Sequence, residues 1–355
     1  MKLLLGLSFT VFLVFSTLSV RSCTAFYLEN DSVRVLAKNL DWPVDNGYVL
    51  FNPAGRTKQT FFVEKLGNTS WISKYASITF NQFGIEFPLG GMNSQGLVIE
   101  ELNSPALPSA MVQASKHHLN EYQFIQYMLD QYASVKEVIY HLEDIQITPI
   151  FLYLHYLVAD SSGNRVILEC AHEGIRYWEP REAYYAVLSN NSYEESLRYL
   201  EKFEGFGGDL PVLYRQGSGE RFVSVAEKIR TYDNADIQPC AFDILNLVKQ
   251  KDTQWSIVYN LTSRKIYFRF HNCKNEKLFN VSSLFDNDCD QVLGCDLRSC
   301  SCTNVDSFQP YTPEDNTQLL HEVVFRLKNT IGLDGNEEVF EKMTNYAESF
   351  LYKSE

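Results

Sequence analysis

Residues 20–42 read VRSCTAFYLENDSVRVLAKNLDW, and the division of this stretch decides the fold. Apolar residues alternate or run through 23–29 and again through 33–40, on either side of the turn formers Asn30, Asp31 and Ser32. Two β-favouring runs around such a turn predict an antiparallel hairpin. Upstream, Lys2 precedes an almost unbroken apolar run from Leu3 to Val20, the layout of a secretory signal peptide. Val20 and Ser22 stand three and one residues before the bond to Cys23, where signal peptidase accepts small or modest side chains. Cleavage after Ser22 is therefore expected, which makes Cys23 the first residue and places the hairpin at the new terminus. A membrane anchor is the alternative, because the run approaches bilayer-spanning length. Against it, no basic stop-transfer cluster follows and the next residues alternate like a strand. The expected location is secreted or otherwise exported, whether extracellular, periplasmic or in a secretory lumen.

A cysteine at a processed terminus carries a base of its own. Its α-amino group titrates near ~8 and lies within reach of its thiol, directly or through a water. The competing use of Cys23 is a disulfide. The chain has eight cysteines, five of them between residues 273 and 302, and in an exported protein that cluster predicts disulfide pairing. A zinc site from His271, Cys273, Cys300 and Cys302 is the alternative, although Cys-x-Cys is not a common zinc spacing. Sequons at Asn30, Asn68, Asn190, Asn260 and Asn280 matter only in a eukaryotic secretory pathway.

Without Lys2 and Arg21, 29 basic residues face 44 acidic ones, a formal charge of −15 against −13 for the whole chain. That balance argues against a nucleic-acid or anionic-membrane partner. No later segment is apolar enough for stable membrane insertion. With 45% hydrophobic and 14% aromatic residues, the chain can bury one large core with an appendage. Further strands are expected at 76–80, 97–102, 152–159, 166–170, 183–188, 254–259 and 265–270, and helices at 120–132, 134–142, 193–203, 221–231 and 241–249. Ser134 followed by Glu137 reads as a capping box. Without regular βαβ alternation, this pattern is α+β. The expected organisation is a leader at 1–22, a main domain at 23–285, and a cysteine-rich, helical addition at 286–355 ending in Val339, Phe340, Met343, Ala347, Phe350 and Leu351 at helical spacing. No Gly-x-Ser-x-Gly elbow or zinc-protease spacing is present, and His155 in an apolar strand reads as a core residue.

Several ordered motifs are similar to those of the choloylglycine hydrolases and penicillin V acylases, linear-amide hydrolases of the N-terminal-nucleophile class. Cys23 and Thr24 lead through the hairpin to Lys38, Asn39, Leu40, Asp41 and Trp42. Gly90, Gly91, Met92 and Asn93, followed by Gly96 and Leu97, resemble the family's Gly-Met-Asn turn. Leu154, His155 and Asp160 resemble its central strand, Val187 to Asn190 its second asparagine site, and Arg221, Phe222, Val225 and Ala226 its arginine helix. The resemblance covers Cys23 to about Phe270.

It implies a four-layer αββα sandwich, no metal or organic cofactor, and hydrolysis of a small N-acyl amide through an acyl-thioester. In that scheme Cys23 is the nucleophile, Asp41 orients the terminal amine, Asn93 and Asn190 hold the oxyanion, and Arg221 supports the charge around the thiol. Neutral preorganised donors suit the tetrahedral oxyanion of acyl transfer. Each residue also has a plainer use: the asparagines as turn formers, Asp41 as a loop cap, Arg221 as a surface residue opening a helix. One departure stands out, because Lys38 occupies the place of the family's arginine and cannot reproduce a planar bidentate contact. The rival class is a secreted binding or structural protein that keeps the fold without the chemistry. A lipoprotein acylated at Cys23 is a third, with Arg21 an awkward neighbour for that processing.

Overall fold

The hairpin is present and its turn fixes its register. Asn30 Oδ1 accepts the backbone N–H of Ser32 at 3.0 Å and of Val33 at 2.7 Å, an Asx arrangement that closes the chain on itself. From that closure strands Thr24–Glu29 and Arg34–Asp41 pair antiparallel, with Ala25 opposite Lys38 and Thr24 opposite Asn39. The computed structural model describes residues 23–61, 69–105, 113, 115–172, 174–179, 185–273, 275–285, 289–331 and 337–351. The expected leader at 1–22, the sequon residue Asn68, positions 183 and 184 of an expected strand, and the side chain of Phe350 lie outside these.

The hairpin sits inside a six-stranded antiparallel sheet, in the order Val187–Leu188, Thr24–Glu29, Arg34–Asp41, Thr253–Asn260, Lys265–Phe270, Lys277–Asn280. A second, nine-stranded antiparallel sheet runs Gly174–Trp178, Arg165–Ala171, Leu154–Ala159, Val98–Asn103, Pro88–Asn93, Ser77–Asn81, Tyr48–Asn52, Leu293–Asp296, Gln309–Pro310. Strand Thr24–Glu29 of the first sheet touches Val98–Asn103 and Leu154–Ala159 of the second, so the two sheets face each other. Helices Ser218–Arg230 and Ile237–Leu247 cover the outer face of the first sheet, and Glu121–Gln131 covers the second. This is the expected αββα layering. Central strands buried on both faces, such as Ser77–Asn81 and Leu154–Ala159, form the interior. Each fully buried large apolar side chain there contributes about 1.5–3 kcal/mol.

Helix Glu121–Gln131 is buried on every side, which demands partners for its polar groups. Asn120 caps it, accepting from Tyr122 N and Gln123 N, and Asp130 takes Lys58 Nζ at 3.0 Å and Trp71 Nε1 at 2.8 Å. Ser134 caps the next helix, Val135–His141, by accepting from Glu137 N at 3.3 Å. Glu137 reaches back one residue further than a capping box requires, to Ala133 N at 2.9 Å.

Motif Gly90-Gly91-Met92-Asn93 is strand rather than turn. It completes Pro88–Asn93, and the turn follows, with Gly96 at φ +84°. Gly90 is required by a close approach, since a Cβ there would lie 2.2 Å from Glu100 Oε2.

In the C-terminal segment, Leu293–Asp296 pairs with Tyr48–Asn52 and so prolongs the main sheet. Disulfides join Cys273 to Cys300 and Cys295 to Cys302, which removes three of the four ligands of the alternative zinc site. Cys23, Cys170, Cys240 and Cys289 are free thiols. Helices Pro313–Ile331 and Glu337–Leu351 pack on each other and against the core. Among the described residues, no helix is long and apolar enough to cross a membrane.

Candidate active site

Because Thr24 lies opposite Asn39, the residue before the first strand falls beside the end of the second. The backbone N–H of Asp41 donates to Cys23 Sγ at 3.4 Å. Cys23 is buried, and loss of solvation pushes its thiol up to about 12, with Lys38 acting in the opposite direction. In the continuous chain the thiol is therefore neutral, and it needs a base to become a nucleophile.

Arg221, on helix Ser218–Arg230, is wholly buried and not a surface residue. Its Nε donates to Thr24 Oγ1 at 2.9 Å, Nη1 to Gln216 O at 2.7 Å, and Nη2 to Cys23 O at 3.3 Å and Asn190 Oδ1 at 3.1 Å. One planar fork thus fixes the backbone of Cys23 and the orientation of Asn190 together. Among the described residues Asn190 Nδ2 donates one hydrogen bond, to Asn103 O at 2.8 Å, which leaves its second amide proton without a partner there.

Asp41 is buried beneath Cys23. Thr253 Oγ1 donates to Asp41 Oδ1 through a short hydrogen bond, whereas Oδ2 has no partner among the described residues. Burial raises the carboxyl to about 7, against the lowering effect of the Thr253 bond and of Arg221. An unpartnered buried carboxylate oxygen is costly unless a cation or donor arrives.

Lys38 lies deeper and is committed to carboxylates. Its Nζ sits 2.8 Å from Glu100 Oε2, 3.2 Å from Glu101 Oε1 and 3.5 Å from Leu89 O. Burial alone would lower the ammonium's pKa, but Glu100 and Glu101 outweigh it and hold the group charged. Tyr259 OH donates to the other oxygen of Glu100, Oε1.

Asn93 does not join this group. Its two amide protons go to Leu129 O at 2.9 Å and Tyr132 O at 2.8 Å, and its Oδ1 accepts from Gln95 N and Leu97 N. No N–H remains for a substrate oxyanion, so the sequence expectation for this residue is corrected: Asn93 joins the turn to the end of helix Glu121–Gln131. The asparagine in the site is Asn103, at the end of the neighbouring strand.

Asn103 lines a small pocket together with Cys23, Gln82 and Glu101. The remaining wall is apolar, half leucine and half aromatic, from Leu40, Trp42, Phe83, Leu89, Tyr122 and Leu152. A thiol at one edge, amide groups beside it and an apolar wall suit transfer of an apolar acyl group.

A family model for linear amide C-N hydrolases, choloylglycine hydrolase family, matches residues 23–211, more than half the chain. The chain belongs to this family. A penicillin V acylase from Pectobacterium atrosepticum is 23% identical over 260 residues, which cover 67% of this chain and 69% of that protein. Among solved structures, penicillin V acylase from Agrobacterium tumefaciens superposes with a TM-score of 0.67 at 19% identity, covering 82% of this chain and 98% of its own. A variant of the conjugated bile acid hydrolase from Clostridium perfringens gives a TM-score of 0.65 at 19% identity, covering 78% and 97%. These structural likenesses establish the fold.

Four participants escaped the sequence reading: Asn103, Thr253, Glu100 and Glu101. A signal existed for the last two. Adjacent acids among the apolar residues of strand Val98–Asn103 need a buried counter-charge, and Lys38, in a strand buried from Val35 to Asp41, needs a buried acid.

Proposed function

We propose that the protein is exported, loses residues 1–22, and hydrolyses small N-acyl amides with the thiol of Cys23. The carrying observation is that Asp41, whose backbone N–H meets Cys23 Sγ, keeps its buried Oδ2 without a hydrogen-bond partner among the described residues. An α-ammonium freed at Cys23 supplies the donor that this buried oxygen lacks, and Asp41 in turn orients the amine. The amine, titrating near ~8, takes the thiol proton as sulfur attacks the carbonyl. Asn190 donates its remaining N–H to the oxyanion, held in place by Arg221. Collapse expels the amine product with the transferred proton and leaves an acyl-thioester on Cys23. Water, deprotonated by the same α-amine, then releases the acid and restores the thiol.

The apolar wall favours an apolar acyl group, and the net negative charge disfavours nucleic-acid partners. The scheme calls for no metal or organic cofactor.

The test is intact-mass and N-terminal analysis of purified protein with and without a thiol alkylator, alongside hydrolysis of an N-acyl amide panel. Cys23 at the terminus, one rapidly blocked thiol and parallel loss of hydrolysis are expected. Active protein that begins at Ser22 or earlier overturns the mechanism, because a peptide-bonded nitrogen is no base.

A further inference from the structure

Two aromatic members of the pocket wall are the visible end of a longer stack. Phe83 and Tyr122 lie with ring centroids 5.1 Å apart. Behind the pocket Phe83 stacks on Phe151, at 6.1 Å and 21° between planes. Phe151 stacks in turn on Phe340, at 5.3 Å and 19°. Phe340 belongs to helix Glu337–Leu351, far from the pocket in sequence.

The backbone between these rings is pinned. Glu121 accepts the N–H groups of Ile150, Phe151 and Leu152 at 2.8, 2.8 and 3.0 Å, and Leu152 lines the pocket. The loop that carries Phe83 is held from the same C-terminal direction. Asn316 Oδ1 accepts from Ile85 N at 2.8 Å, and Tyr346 packs against Phe87 at 5.7 Å while its hydroxyl accepts from Gln123 Nε2 at 2.8 Å. With the backbone held at both loops, Phe83 and Phe151 can yield only by turning or shifting their rings, and Phe340 stacks on the second of them.

We infer that helix Glu337–Leu351 sets which acyl groups the Cys23 pocket accepts, with Phe340 as the positioning residue that determines acyl size. This rests on reading the pocket as the acyl site. Phe340 touches no substrate: it supports Phe151, which supports Phe83. Truncating it opens room behind the wall into which longer or bulkier acyl chains can push the two rings.

The experiment uses the full mature chain and a homologous series of N-acyl amides, from acetyl to dodecanoyl, on one fluorogenic amine. Phe340→Ala should move the kcat/KM ratio of long to short acyl members by about tenfold or more, since one methylene of pocket space is worth that order. The change should lie in KM, with kcat on the shortest members within about twofold of the parent. Phe340→Met, which restores bulk, should return most of the original order, and Phe325→Ala, at an exposed site on helix Pro313–Ile331, should change nothing. Ratios within about twofold of the parent, accompanied only by a lower melting temperature, overturn the inference. If Phe340→Ala does not fold, Phe340→Leu is judged by the same ratios.

A second readout separates this inference from the activity itself. Chloroacetamides with N-alkyl groups of increasing length alkylate Cys23 through the same pocket without hydrolysis. A parent that hydrolyses no amide, but whose length dependence of alkylation is relaxed by Phe340→Ala, removes the proposed activity and keeps the pocket inference. A length dependence untouched by the substitution removes the pocket inference.

Discussion

Replacing Lys38 with methionine keeps most of the side-chain volume and removes the charge, and its consequence follows from the two carboxylates left behind. Glu100 and Glu101 lie within 2.8 and 3.2 Å of Nζ at almost fully buried positions. Breaking a buried pair from one side costs about 3–5 kcal/mol, because the surviving charge has neither solvent nor partner. Against a typical total stability of about 5–15 kcal/mol, that is a large fraction. The loss should depend on pH in a definite direction. Burial already raises the pKa of Glu100 while Lys38 is present. Without Lys38 it rises further, so the folded state keeps protons that the unfolded chain releases above its own pKa near ~4.3. The deficit is therefore small near pH 4 and grows as pH climbs toward 8. Urea denaturation at both ends of that range measures it. Lys38→Met combined with Glu100→Gln and Glu101→Gln should recover much of the loss, since no unpaired charge remains. Lys38→Met should also slow alkylation of Cys23, because Lys38 is the main influence favouring the thiolate. A deficit under about 1 kcal/mol at pH 8, or one independent of pH, refutes the assignment of Lys38 as the counter-charge of this pair.

Cys23→Ala should abolish amide hydrolysis with circular dichroism unchanged, and Cys23→Ser should retain little activity, because a hydroxyl ionises far less readily than a thiol; undiminished turnover by Cys23→Ala moves the site elsewhere. Asn190→Ala should lower kcat by about 10²–10³, the cost of one oxyanion donor, whereas Asn93→Ala should leave the kinetics near parental and cost about 1–3 kcal/mol of stability by stranding the groups it satisfies. The reverse pattern in steady-state kinetics and melting curves restores Asn93 to the site. Asp41, raised by burial from 3.8 to about 7, makes the uncleaved chain less stable as pH rises between those values, and Asp41→Asn should flatten that slope in thermal melts; an unchanged slope places the titrating group elsewhere.

Most of the layered core was legible because its strands and helices carry their own periods. The hairpin, the strand pair Leu154–Ala159 and Arg165–Ala171, and the pair Thr253–Asn260 and Lys265–Phe270 follow from apolar runs separated by turn formers. What escaped were strands whose composition points elsewhere. Pro88–Asn93, with a proline and two glycines, has turn chemistry, and it is a strand because Glu100 and strand Ser77–Asn81 crowd it too closely for side chains. Tyr48–Asn52 and Leu293–Asp296 are short, and they pair with each other across the sequence while Ser77–Asn81 and Gln309–Pro310 flank them on their other sides.

The structure brings Cys23, Asp41, Lys38, Asn190 and Arg221 together and leaves Asn93 apart, and the reason is geometric. Cys23, Asp41 and Lys38 are linked by the register of a single hairpin, so sequence spacing alone brings them together. Arg221 was legible through its likeness to the family's arginine helix, and its burial emerges only in the fold. Asn93 and Asn103, by contrast, end two adjacent antiparallel strands, Pro88–Asn93 and Val98–Asn103, and antiparallel neighbours end at opposite edges of a sheet. The asparagine next to the glycine motif was the more conspicuous in sequence, but its strand ends at the edge where helix Glu121–Gln131 finishes and two carbonyls need donors. The less conspicuous one ends at the edge where Cys23 and Asn190 meet, and its carbonyl holds Asn190 in place. Which of the two asparagines ends beside Cys23 is therefore a property of sheet direction, a long-range fact that no local motif encodes, and near-parental kinetics of Asn93→Ala are the outcome that this direction entails.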